Sequence, residues 1–347
     1  MKILSFWLFP LLLLLFFVAR EGACQAPYYQ GKTITFVQGR EPGGVGDLRN
    51  KIIIQFLQKY IPGQPTIVSE YMPGGGGRKA ANYIYHNAKG DGLTIGASSP
   101  GILASAVLGM PGVNFDPAKF IYLGSPFSEN HNIFVTRKAL GIHSVEKLRE
   151  HVGLRVGGQS VGHVQFIRSR LFAWLLGLKE PKFIAGYAGA ELDQALTRGE
   201  IDCRASAVDK ETLSEEYKKI ADYQSILEIP LGTRPSVFAG LPEIGSFART
   251  QLERDVLAMS RTFWGTGTLM FLPPNTPEHL AQILRQAVRR SFEDPQFHEM
   301  YKKLLGVEPT PLMPEDQQRL VAALPRDPEV AKAFAAVADV GPLPPRR

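Results

Sequence analysis

The stretch TITFVQGREPGGVGDLRNKIIIQFLQKY, residues 33 to 60, decides how this chain folds. Its first part alternates, with Ile34, Phe36 and Val37 apolar and Thr33 and Thr35 β-forming, which predicts a strand. Its last part places Leu48, Ile52, Phe56, Leu57 and Tyr60 at helical spacing. Between them lie Gly43, Gly44 and Gly46, with Asp47 at the helix start. Glycine lets backbone amides turn inward and a ligand approach closely. A helix start adds unpaired N–H donors and the positive end of the helix dipole. Strand, glycine loop and helix start together predict a site for a small anion such as a carboxylate or phosphate. The same residues also read as a tight turn closed by an N-cap Asp47.

The pattern repeats along the chain. TIVSEY (66 to 71) predicts a second strand, and MPGGGGRKAANYIY a second glycine loop entering a helix. LTIGASS (93 to 99) predicts a third strand, with Ser98 and Ser99 at its end. This βαβαβ order predicts an α/β fold with a mostly parallel sheet covered on both faces. Ligands in such sheets sit at the carboxyl ends of the strands, where the loops at Gly43 and Ser98 would lie. The order then starts again with LRVGGQSVGH (154 to 163) and a helix carrying Val164, Ile167, Leu171 and Trp174 on one face. KFIAGY (182 to 187), AELDQALTRG and IDCRASAVD (201 to 209) predict strand, helix and strand. Each half therefore offers a strand–loop–helix anion site. Two such sites facing each other would grip one ligand from both sides. Beyond WGTGTLMFL the chain turns helical, and this part is expected to return to the first domain.

The chain has 347 residues, 44% of them hydrophobic, enough to bury the cores of two domains. Lys2, an apolar run from Ile3 to Val18 and small residues at Ala23 and Ala26 read as a secretory signal peptide over residues 1–26. That implies export to the periplasm. Cys24 opens the alternative of lipoprotein anchoring, although Glu21 sits where that signal needs an apolar residue. Cleavage near Ala26 leaves Cys203 alone, so packing rather than a disulfide must hold the fold. The net charge of +6 is mild for this surface, and no basic run with interleaved aromatics points to nucleic acid. Arg346 and Arg347, ending PLPPRR, read as a solvated, mobile tail. The seven His are scattered, so no metal or cofactor site is expected.

Taken in order, EPGGVGD (41 to 47), PGGGGRKAA (73 to 81), GDGLTIGAS (90 to 98), GGQSVGH (157 to 163), YAGAELDQALTRGEID (187 to 202) and PPNTPEHL (273 to 280) resemble the extracytoplasmic solute receptors of tripartite tricarboxylate transporters, the Bug receptors. The resemblance covers nearly all of the mature chain. It implies a two-domain periplasmic-binding-protein fold of type II with the ligand cleft between the domains. Residues 27–127 with 253–347 would form domain 1 and residues 128–252 domain 2. It implies a monomeric, non-catalytic receptor for a small organic carboxylate, read by the membrane subunits of a transporter or by a membrane sensor. Backbone amides of Gly43, Gly44, Val45, Gly46 and Asp47 would hold the ligand from one side, and Gln159, Ser160, Val161, Gly162 and His163 from the other. From the residues themselves, Ser98 and Ser99 are expected either to donate hydroxyls to a ligand oxygen or to cap the following helix. Gly39 and Arg40 depart from the Pro and Phe frequent before the family's first loop, and His163 stands where Ser is frequent. Arg40 is expected either to reach a second ligand carboxylate or to pair with Glu41 at the surface. His163 is expected either to donate to the ligand or to cap its helix.

A rival reading starts from Gly158-Gln159-Ser160-Val161-Gly162, which matches G-x-S-x-G, the nucleophile elbow of serine hydrolases. A triad would need Asp202, Asp209 or Asp222 and then His279 or His298. No HGGG-type oxyanion segment precedes Ser160. GGGGRKA lacks the GK[ST] ending of a P-loop, and the glycine loops do not follow G-x-G-x-x-G.

Overall fold

The computed structural model describes residues 26–346 apart from 129–130, 190, 229–234 and 325–326. The signal peptide expected at 1–26, with Cys24, lies outside the described residues except for Ala26. Residues 33–60 form β1 (Thr33–Gln38) and α1 (Val45–Tyr60), and the chain continues through β2 (Thr66–Tyr71), α2 (Arg78–His86), β3 (Thr94–Ser98), α3 (Gly101–Val107) and β4 (Ile121–Gly124). It then crosses to a second lobe built from β5 (Asn132–Arg137), α4 (Val145–Glu150), β6 (Arg155–Gly157), α5 (Val164–Leu176), β7 (Lys182–Ile184), α6 (Glu191–Arg198), β8 (Cys203–Ala207), α7 (Glu215–Ile220) and β9 (Ala221–Leu227). Helix α8 (Gln251–Gly265) leads back to β10 (Leu269–Leu272), followed by α9 (Glu278–Glu293), α10 (Pro295–Leu305), α11 (Pro314–Ala322) and α12 (Pro328–Ala338).

Two five-stranded sheets result, ordered β2-β1-β3-β10-β4 and β7-β6-β8-β5-β9. In each, one strand runs against the other four: β10 is antiparallel to β3 and β4, and β5 to β8 and β9. Those reversed strands are the ones laid down just after the chain changes lobe. The mostly parallel α/β architecture expected from the repeating order is therefore present twice.

Strand alternation divides each lobe's core into two layers. Ile34 and Phe36 of β1 pack with Ile52, Ile53, Phe56 and Leu57 of α1 and with Leu284 and Val288 of α9, while Val37 packs with Ala80, Ala81 and Ile84 of α2. In the second lobe Ile133 and Val135 face Leu192 and Leu196 of α6, and Phe134 faces Leu171 and Phe172 of α5. Of the helices after β10, those through α11 pack on the first lobe. The last one does not: α12 packs against α5 and α8. The tail beyond it is also held, contrary to the solvated end expected at Arg346. Its guanidinium donates to Glu253 Oε1 at 2.7 Å and to the Phe247 carbonyl at 2.6 Å. Trp174 Nε1 donates to the Pro344 carbonyl at 3.1 Å. Arg170, fully buried in α5, donates to the carbonyls of Val337 and Gly341 at 2.5 and 2.8 Å.

Candidate ligand-binding site

The carboxyl end of β1 runs into the first glycine loop, and the carboxyl end of β6 into the loop Gly158–His163. Both aim at the gap between the lobes. The gap encloses a cavity of about 510 Å³, lined on the first lobe by Arg40, Gly43 to Arg49, Ser99 and Phe127. On the second lobe Gln159, His163, Arg168, Asp193, Arg204, Asp209 and Thr212 face it, and Trp264 of α8 completes the wall.

The start of α1 differs from the expected N-cap Asp47. Gly44 is the N-cap, with φ −87° and ψ 170°, and Asp47 is the third helical residue. Its Oδ2 reaches back to the Gly43 amide at 2.9 Å and pairs with Lys51 at 2.8 Å. Its Oδ1 accepts from Tyr71 at 2.8 Å and from Gln38 at 3.1 Å. Burial raises the Asp47 carboxyl, but bonds from Lys51, the Gly43 amide, Tyr71 and Gln38 outweigh it and hold the group below its ordinary value. An Asp so fully bonded braces the loop. The amides of Gly43 and Asp47 are used within it, the latter donating to the Gly44 carbonyl at 2.9 Å, whereas a helix start leaves those of Val45 and Gly46 free for a ligand.

On the second lobe His163 caps α5: its Nδ1 accepts from the Gln165 amide at 3.2 Å. That acceptor role puts the proton of the neutral ring on Nε2, making Nε2–H a donor. Burial, reinforced by Arg40 and Arg168, pulls His163 down to about 3, so the ring is neutral at physiological pH. The amide of His163 is itself taken by the Ser160 carbonyl at 2.9 Å.

Of the residues expected from sequence, Gly43, Gly44, Val45, Gly46, Asp47, Ser99, Gln159 and His163 line the main cavity. Ser160 instead borders, with Gln159, His163 and Tyr187, a side cavity of about 170 Å³. Ser98, Val161 and Gly162 line neither. Ser98 Oγ is packed against Gly39 and Gly77, and Gly162 lies under Arg78. Ser99 Oγ is buried at the cavity wall without a partner among the described residues.

Sequence reasoning singled out Arg40 but missed two further arginines in the site, Arg49 and Arg168. Arg49, near the start of α1, stacks on Phe127 with 4.0 Å from guanidinium carbon to ring centre. Arg168 of α5 stacks on Trp264 at 4.8 Å and donates to Asn132 Oδ1 at 2.6 Å. Arg40 makes no ion pair with Glu41; its guanidinium lies over Gly46. Nitrogens of all three are buried with no hydrogen-bond partner among the described residues. Burial, and then Arg49, pulls Arg40 down to about 10 and Arg168 to about 9. Acidic residues share the cavity with them. Arg204 and Asp193 pair there at 2.5 Å, and burial raises Asp209 above its usual range even with Arg49 and Arg204 nearby. An arginine pair in α5, an otherwise apolar helix, was the one sequence signal available for Arg168; Arg170 shows that the same signal also marks structural residues.

The triad of the hydrolase reading is not assembled. Ser160 Oγ accepts from the Gly76 amide at 3.2 Å. Asp202 is held by Arg155 at 2.8 Å, Asp222 by Lys138 at 2.6 Å, and Asp209 accepts from the Thr212 amide at 3.0 Å. His279 is exposed at the start of α9, and His298 meets the Phe292 carbonyl at 2.7 Å. Among the described residues no group of His, Cys, Asp and Glu has metal-binding geometry, and no helix is long and apolar enough to cross a membrane.

No protein-family model matches the chain, and no curated protein does. Solved structures do. The periplasmic binding protein BugD superposes with a TM-score of 0.71 at 17% identity, over 89% of this chain and 98% of that one. The fold is that of the periplasmic binding proteins. MatC of Rhodopseudomonas palustris with bound malate follows at 0.68 and 21%, over 89% of this chain and 99% of that one. Another R. palustris protein, with adipate, gives 0.67 and 20%, over 89% and 97%. Residues of both glycine-loop helix starts line the cavity between the lobes.

Proposed function

We propose that this chain is an extracytoplasmic receptor that encloses a small organic carboxylate between its lobes. The observation that carries this is the convergence of two helix starts and three arginines with unpartnered nitrogens on one cavity. Val45 and Gly46 amides, the Ser99 hydroxyl and His163 Nε2–H supply donors to an oxyanion, and the guanidinium groups supply charge. Gln159 lines the same wall. Ser160 and Gly162 meet the second glycine loop of the first lobe instead. The malate and adipate held by structures of the same fold support the carboxylate class.

The chain is exported after cleavage near Ala26 and works in the periplasm as a monomer, with residues 27–127 and 253–347 as domain 1 and residues 128–252 as domain 2. Its closed form is read by the membrane subunits of a tripartite tricarboxylate-type transporter or by a membrane sensor, through a shift in the open–closed population. The test is a thermal-shift screen of mature protein, stripped of ligand by unfolding and refolding, against carboxylates, amino acids, sulfonates and sugars. A ligand at 100 times its Kd adds about 2.7 kcal/mol of stability. Shifts confined to sugars, or none with any carboxylate, would sink the reading.

A further inference from the structure

Arg49 and Arg168 reach the cavity from opposite lobes, one on α1 and one on α5. Each guanidinium lies over an aromatic ring; among the described residues Arg49 Nε and Nη2 and Arg168 Nε are buried without a partner, while Arg168 Nη1 donates to Asn132 Oδ1 at 2.6 Å. Among the described residues neither has a carboxylate within ion-pair distance, although Arg204 in the same cavity has Asp193 at 2.5 Å. Buried guanidinium groups normally carry their own counter-charge. A planar fork of donors left open in a cavity suits a carboxylate held through two parallel bonds.

Resting on the receptor reading above, we infer that Arg49 and Arg168 form a charge gate: the lobes close fully only when a second anionic group of the ligand lies between the two guanidinium groups. The first anionic group is taken by the start of α1, where the amides of Val45 and Gly46 are free. Closure carries Arg49 and Arg168 toward each other, and an empty cleft or a singly charged ligand leaves that repulsion uncompensated. Asp209, on the second lobe, is an acid near enough to feel Arg49. Its Oδ1 is occupied by the Thr212 amide at 3.0 Å, and burial favours its neutral form, so it is a weak substitute for a ligand anion. The gate thus distinguishes ligands by charge, where helix starts and hydroxyls alone would accept a monoanion and a dianion of the same shape alike.

The experiment compares linear dicarboxylates from succinate to adipate with the monoamide of each, which keeps length and shape and removes one charge. Affinity is read by calorimetry and closure by the distance between two spin labels, one on each lobe. The wild type should bind the best diacid at least tenfold more tightly than its monoamide, and only the diacid should populate the closed distance. Arg168→Met should bring diacid affinity down to that of the monoamide, abolishing the preference, and raise the closed population of the unliganded protein. Arg49→Met should do the same from the other lobe, which guards against one variant misfolding. Equal closure by diacid and monoamide, or a preference that survives both variants, would overturn the gate while leaving the receptor reading intact. Failure of the wild type to bind any acid or monoamide would remove both.

Discussion

Gly76 and Ser160 meet across the cleft: the Gly76 amide, on the first lobe's second glycine loop, donates to Ser160 Oγ at 3.2 Å. The two loops touch directly there. A Cβ placed on Gly76 would run into the Gly162 carbonyl and the His163 amide nitrogen. The serine that the nucleophile motif singled out thus acts as an acceptor between the lobes, and the four-glycine run packs against its loop.

Gly76→Ala should block closure without unfolding either lobe. The residue has φ +67°, and the atoms that an added methyl would strike are backbone, which cannot swing aside as a side chain would. Affinity for the best carboxylate should fall by more than tenfold, with the open form dominant in small-angle scattering. Ser160→Ala removes only the hydrogen bond, worth about 0.5–1.5 kcal/mol, so a loss of roughly two- to tenfold is expected. Equal effects of the two substitutions would show that the close approach at Gly76 does not control closure.

Gly44 and Gly46 should respond differently to added bulk. A Cβ on Gly44 would stand 3.8 Å from Gly189 Cα across the cleft, so Gly44→Ala should be tolerated and Gly44→Val should abolish binding with the fold intact. A Cβ on Gly46 would strike only the end of the Arg40 side chain, at its guanidinium. Gly46→Ala should therefore displace Arg40 with little change in melting temperature, and weaken binding in proportion to what Arg40 contributes. Survival of binding in Gly44→Val would show that the loop is not the anchor.

His163 should leave a signature in acid. Its folded pKa, about 3, lies below the ordinary histidine value of 6.5, so the unfolded chain takes up the proton first. The stability it confers is complete above about pH 6.5 and is lost as pH falls toward about 3. Carboxylates held low, such as Asp47 and Asp202, add acid sensitivity only at lower pH. Melting temperatures measured between about pH 6.5 and 5, above the ordinary carboxylate range, isolate the histidine. There His163→Asn, which can still cap α5, should show a flatter slope than the wild type. Parallel slopes would refute the buried neutral ring.

How much of this was legible depends on range. The switch from alternation in β1 to helical spacing in α1, with three glycines between, is a local signal, and it located both the fold and one wall of the cavity. The second lobe repeats it at Gly158–His163. Neighbours brought together from far along the chain gave no such signal. Nothing local in the sequence marks Arg49 and Arg168, because the rings beneath them, Phe127 and Trp264, come from the crossover and from α8. Asp47 read as an N-cap because the sequence does not show that Gly44 takes that position. Ser98 and Gly162 read as ligand donors, but the glycines of the second loop pack directly against them.

The tail offers the last test, because a terminal Arg is the kind of residue that sequence reasoning discards. Arg346 and Glu253 have side chains only 9% and 3% exposed, and their nearest atoms are 2.7 Å apart. Glu253 also accepts from the amides of Arg249 and Thr250, so it holds the capping box of α8 while anchoring the tail. Arg346→Ala would leave that carboxylate buried without its cation, and removing one partner of a buried pair costs about 3–5 kcal/mol. The pair joins α8, which leads from one sheet to the other, to the tail that crosses α5 of the second lobe. Loss of stability should therefore be accompanied by faster hydrogen exchange at the start of α8 and along α12, with the Val45–Tyr60 helix unchanged. A variant that melts like the wild type, or exchanges faster everywhere alike, would show that the tail is not the clasp this geometry describes.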